Sequence, residues 1–194
     1  MTQRADTFLR LQPAFDALAL LFLQPESDAG AEALRAAANC VKVVAAGSLT
    51  PEEVARLVAA AAREVTPLEL AQAYAKLFLG VGEKTIPLCE SAWTSPKHLL
   101  CQAAQIDCRR AYEAAGLELA GGSVVPEDHI GLMLAFLSVT ALRNEAEVGL
   151  AFLSNHVATV AECIVRTVRE VKEGAGPYAD IVEVLEAILA LLQK

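Results

Sequence analysis

At 194 residues the chain is long enough to bury one good core. Hydrophobic residues make up 55% of it and charged residues 21%, a balance that excludes disorder and calls for a filled interior. The formal net charge of -8 argues against a phosphate-binding surface, so nucleic acid is not an expected partner and cationic partners are.

Alanine and leucine dominate while aromatics are only 5%, which favours helices because unbranched side chains lose little rotamer freedom in them. The expected fold is an all-α, single-domain helical bundle over residues 1–194 with no substantial sheet. The first helix spans roughly Asp6 to Leu23, and Pro13 should bend or split it. Asp6, Asp16 and Glu26 frame its apolar run and no small-residue cleavage site is present, so it does not read as a signal peptide. TPEE at Thr50–Glu53 and TPLE at Thr66–Glu69 each place Thr at the N-cap, Pro at the first helical position and Glu at the third, so two helices should start there. Ser95 followed by Pro96 repeats the device and predicts a further start, with Gly116 as the matching stop.

Between these elements, GVGEKTIPLCESAWTSP at 80–96 is long for a connection, and long loops often carry function. Gly80 and Gly82 do not make a phosphate loop, which needs a preceding strand and GK[ST] opening a helix. The stretch GLELAGGSVVP predicts a hinge between N- and C-terminal helix groups, within 117–125 and near Gly121 and Gly122. Residues 130–142, IGLMLAFLSVTAL, are apolar nearly all round and mark a helix at the centre of the bundle. From about Glu145 to Lys172, Leu153, Val157, Val160, Ile164, Val168 and Val171 form one apolar stripe, ended by Gly174, Gly176 and Pro177. A last helix from about Tyr178 puts Ile181, Leu185, Ile188 and Leu192 on one face. No run of about eighteen uninterrupted apolar residues occurs, so no membrane span or direct membrane insertion is expected. Five cysteines, an odd number without CxxC spacing, fit reduced thiols in the cytoplasm. Cys101 and Cys108 are seven apart and are expected to share a helix face.

The junction PEDH, Pro126 to His129, sets two carboxylates and an imidazole before the greasiest helix of the chain. An Asp–His pair can act as an oriented base, but neighbours on a helix point about 100° apart, and no nucleophile motif accompanies them. His98, His129 and His156 fall in no HxxxH or HExxH frame, and the cysteines in no CxxC frame. No catalytic residue, metal ligand or cofactor is therefore expected, with a small-molecule sensor and a metal-dependent hydrolase as the alternative readings. With Pro126 in the first turn, Glu127 and Asp128 would complement the helix dipole by about 0.3–1 kcal/mol each.

AYAKLFLGVGEKTIPLCESAW (73–93) and VPEDHIGLMLAFL (125–137) together resemble the TorD/DmsD family of cytoplasmic maturation chaperones for molybdoenzymes. The first segment is similar to that family's Tyr-x-x-Leu-Phe-x-Gly helix end and Pro-x-x-Glu-Ser loop through Tyr74, Leu77, Phe78, Gly80, Pro87, Glu90 and Ser91; the second matches its Pro-x-Asp-His signature through Pro126, Asp128 and His129. FLSNH, Phe152 to His156, and Pro177-Tyr178 resemble further family elements. The chain departs from the pattern at Val125, where relatives usually carry Glu, and at Cys89, where an aromatic is usual. The resemblance implies a non-enzymatic chaperone without cofactor, and the glycine-rich hinge allows a domain-swapped dimer besides a monomer. Its partner would be the apo-form of a molybdoenzyme catalytic subunit, bound through its twin-arginine signal peptide, its body or both. The expected contacts are Tyr74, Phe78, Gly80, Glu90, Ser91, Trp93, Pro126, Glu127, Asp128, His129 and Met133. A paired-arginine motif followed by an apolar segment needs carboxylates next to an apolar groove, which the PEDH junction supplies.

Overall fold

The computed structural model describes residues 2–82, 84–119, 125–171 and 174–193, and its described residues are helical with irregular connections. The expected hinge near Gly121 and Gly122 lies outside the described residues. The N-terminal pattern gives two helices, α1 (Gln3–Arg10) and α2 (Gln12–Leu23), which meet at Leu11. Pro13 sits in the first turn of α2, where its missing N–H costs no hydrogen bond, so the proline splits the pattern instead of kinking it. An alanine-rich helix α3 (Gly30–Val44) follows, burying Ala33, Leu34, Ala37, Ala38 and Val41. Both TPxE boxes form as expected: Thr50 and Thr66 cap α4 (Pro51–Ala62) and α5 (Pro67–Phe78), and Glu53 and Glu69 reach back to the cap N–H at 2.7 and 2.8 Å.

After α5 come the single turn α6 (Ser91–Thr94), then α7 (Ala103–Ala114), the central α8 (Ile130–Leu142) and α9 (Ala146–Phe152). A π-helical segment over Leu153–Val157 joins α9 to α10 (Ala158–Val171), and α11 (Tyr178–Leu192) closes the chain. The helix expected to begin at Pro96 begins at Ala103 instead. Residues 95–102 form a loop in which His98 and Cys101 take left-handed backbone angles (φ 53° and 58°). Cys101 is thus exposed and off the helix, while Cys108 alone faces the core. Gly116 does end α7, at φ 67°.

α8 packs on α2 and α9, and α2 on α3 as well, so most of the apolar surface of α8 is buried, with Leu132, Ala135 and Val139 half-buried and Leu142 exposed along one face. Two aromatic groups organise the interior. One joins Phe22, Phe78, Tyr74 and Tyr178 with ring centres 5.0–6.1 Å apart, and Tyr178 Oη donates to Leu21 O at 2.6 Å. The other joins Tyr112, Phe136 and Phe152, with centres 4.6–5.7 Å apart. Helices α1 and α9 approach so closely that a Cβ on Gly149 would stand 2.1 Å from Phe8 Cζ, so only glycine fits there.

The continuous helix from Ala146 to Val171, 26 residues, meets the length and composition of a membrane span, which the expectation drawn from uninterrupted apolar runs did not anticipate. In the fold its apolar stripe packs inward, and its outer face carries Glu162, which accepts from Gln193 at 2.9 Å, and Arg169, paired with Glu183 and Glu186 of α11.

Candidate functional site

The loop before α6 and the turn before α8 are far apart in sequence but bonded edge to edge. Glu90 N–H donates to Asp128 O at 3.0 Å and Ile130 N–H to Leu88 O at 2.8 Å, making a short antiparallel bridge between Cys89 and His129. That pairing holds 126–129 out of the helix. The dipole reading of Glu127 and Asp128 is therefore corrected: α8 starts at Ile130, and His129 is its N-cap, with Nδ1 accepting from Gly131 N–H at 3.1 Å. His129 consequently carries its ring proton on Nε2. Burial pushes its pKa down to about 4, against the opposing pull of Asp128, so the ring is neutral near pH 7.

Asp128 is fully buried. Its Oδ2 accepts from Ser91 N–H at 2.7 Å and from the Ser91 hydroxyl, which itself accepts from Gln102 N–H at 3.2 Å. One carboxylate thereby clasps the start of α6 and the end of the 95–102 loop. Its Oδ1, equally buried, has no hydrogen-bond partner among the described residues. An uncompensated buried carboxylate oxygen is costly, and a donor that can reach it is strongly favoured.

Glu90 is also buried (6% exposed) and lies 2.9 Å from His156 Nδ1, which donates to it. His156 belongs to the π-helical segment, where the extra residue per turn re-aims a side chain, a device common at functional sites. The Cys108 thiol lies in the same cluster, its ligand atom within 4.8 Å of those of Glu90 and His156. Burial drives that thiol well above the ordinary range, with Glu90 and Asp128 adding to the effect, so it stays protonated.

Glu127 is tied down differently. Gln105 and Arg109 of α7 donate to its carboxylate at 2.5 and 2.7 Å, and the Arg109 hydrogen bond holds its pKa below the usual carboxylate range. Tyr112 Oη donates to Glu127 O at 2.7 Å, so α7 grips the same turn.

Of the residues singled out in sequence, Glu90, Ser91, Trp93, Pro126, Glu127, Asp128 and His129 come together here. Trp93 Nε1 donates to Pro87 O at 3.0 Å and so braces the loop. Tyr74 and Phe78 stand in the neighbouring aromatic group, where Tyr74 Oη donates to Phe22 O at 3.3 Å. Gly80 sits exposed at φ 78°, turning the chain out of α5. Met133 is wholly within the core. Cys108, Gln105, Arg109 and His156 were missing from the expected contacts. The FLSNH motif was the one sequence signal for His156, and nothing in α7 marked Cys108 as more than an apolar position.

Beside the cluster a cleft of about 430 Å³ opens between α7, α8 and α9, with Phe136 and Phe152 as its apolar floor and His156 at one end. His156, bonded to Glu90, joins the buried carboxylate cluster to this apolar cleft, which neither Glu90 nor Asp128 lines.

The sequence pattern of the family described as nitrate reductase delta subunit matches residues 23–167. The chain belongs to this family. Members are TorD-type maturation chaperones of molybdoenzymes, so the TorD/DmsD resemblance of the two motif segments holds, and the helical architecture agrees with it. The matched range takes in the whole site, from the end of α2 to most of α10. No curated protein matches the sequence.

Proposed function

We propose that this member of the nitrate reductase delta subunit family binds the twin-arginine signal peptide of a molybdopterin oxidoreductase in the cytoplasm, delaying export until the cofactor is inserted. The observation that carries the reading is the pair of buried carboxylates, Glu90 and Asp128, the latter with an oxygen unpartnered among the described residues, joined through His156 to an apolar cleft. A guanidinium offers five donors in a planar fork and suits such an acceptor better than an ammonium does. The apolar stretch after the arginines would enter the cleft, whose volume accommodates a few side chains.

Burying each leucine-like side chain contributes about 1.5–3 kcal/mol before ordering costs, and a partly exposed ion pair about 0–1 kcal/mol. The cleft therefore supplies affinity, and the acids together with the net negative field supply orientation and arginine preference. Because Glu90 and Asp128 already hold intramolecular partners, an entering arginine must open the 95–102 loop, which Gln102 ties to Ser91 by a single hydrogen bond.

Isothermal titration with a synthetic twin-arginine peptide tests this. The expected result is a Kd of about micromolar, or −8 kcal/mol, weakened at least tenfold when both arginines become lysine and again when Glu90→Gln is introduced. Equal binding of both peptides, or none, would refute it.

A further inference from the structure

We propose that Glu90, Cys108 and His156 form a binding site for a divalent cation of borderline softness, of the zinc class. The three come from separate elements: the loop before α6, the middle of α7 and the π-helical segment. Their ligand atoms lie within 4.8 Å of one another. A carboxylate oxygen, a sulfur and an imidazole nitrogen form a mixed set that hard cations do not prefer and zinc accepts in tetrahedral geometry. Bond lengths of about 2.0–2.3 Å bring such ligands to about 3.3–3.8 Å from each other, so the 2.9 Å Glu90–His156 contact must open slightly and the thiol close in, motions within the reach of side-chain rotation.

Two further features point to a cation. Asp128, whose fully buried Oδ1 has no hydrogen-bond partner among the described residues, lies close enough to Cys108 to act on its thiol, so the surroundings hold a second carboxylate beyond the three ligands. The cleft that His156 lines opens to solvent and supplies an entry path, leaving the fourth coordination position to water or to a ligand in the cleft. Binding is balanced by one proton: the Cys108 thiol loses its hydrogen to solvent as the sulfur–metal bond forms, and the His156 ring proton moves from Nδ1 to Nε2 to free the ligating nitrogen. The inference does not depend on the peptide reading, since the donor set and its surroundings carry it whether or not a peptide binds.

The test is titration of the tag-free, reduced chain with cobalt(II), followed by displacement with zinc(II). To silence accessible thiols, the chain carries Cys40→Ser, Cys101→Ser and Cys163→Ser. One cobalt per chain, with a thiolate-to-cobalt charge-transfer band that vanishes in Cys108→Ser and an affinity reduced about tenfold or more in His156→Ala, is the expected result. Absence of the band, or a band that survives Cys108→Ser, overturns the site and leaves Glu90–His156 as a hydrogen-bonded pair only. Should Cys108→Ser lose its helical circular dichroism, alkylation of the chain with native Cys108 decides instead: zinc should slow labelling of Cys108 and leave Cys89 unaffected, and equal rates with and without zinc overturn the proposal.

Discussion

The Phe22–Phe78–Tyr178 side of the molecule and the Glu90–Asp128–His156 side are both buried, yet they are held by different physics. The first is a packed apolar interior in which dispersion and water exclusion do the work and most polar groups are backbone. The second is a polar clasp assembled from segments more than thirty residues apart, in which one carboxylate satisfies Ser91 and a histidine caps α8. The apolar side can be stable without any ligand, whereas the clasp keeps one acceptor without a partner among the described residues. Stability resides in the first and responsiveness in the second.

Substitutions should separate the two regions. Phe22→Ala removes a fully buried ring from the apolar side and should cost about 3–5 kcal/mol in urea unfolding; a loss below about 1 kcal/mol would mean the aromatic group is not the anchor. Asp128→Ala orphans the Ser91 N–H and hydroxyl and should cost about 2–3 kcal/mol. Its helical circular dichroism at pH 7 should stay native, and proteolysis should quicken within 86–102. Cleavage elsewhere would count against the clasp.

Acid should act on the clasp through His129. Its folded pKa, about 4, lies below the unfolded value of about 6.5, so between these the unfolded chain takes up a proton that the fold refuses. This contribution is complete above pH 6.5 and is lost as pH falls; lowering pH from 7 to 5 should remove about 2 kcal/mol, and His129→Gln should abolish that part of the slope. An unchanged slope in the variant would show that the imidazole is not the group responsible. The smallest effect belongs to neither region: Thr50→Ala breaks the capping box of α4 and should lower stability by about 1 kcal/mol.

The same division explains what was legible in sequence. Capping boxes at Thr50 and Thr66, the split at Pro13, the stop at Gly116 and the greasy helix at 130–142 are local or periodic signals, and all appear in the fold. Helix α3 escaped because its buried stripe is mostly alanine, which contrasts little with its exposed face. The Ser95-Pro96 signal failed because Ser95 Oγ, in place of capping a helix, accepts from Leu99 N–H at 2.8 Å. The start of α8, expected at Pro126, falls four residues later at Ile130 because of a non-local bridge to Leu88 and Glu90 that no local pattern encodes. For the same reason the motif residues could be named while their partners could not: His156 reaches Glu90 across 66 residues, and Cys108 joins them from a helix with an ordinary apolar spacing.

Hydrogen–deuterium exchange of the chain with and without a twin-arginine peptide tests the central claim most directly. The account predicts new protection in 86–102, in 126–130 and along the cleft walls of α7 and α9, with α2 and α3 unchanged. Protection centred instead on the groove between α2 and α3, where Asp16 and Glu32 also border apolar side chains, would contradict it.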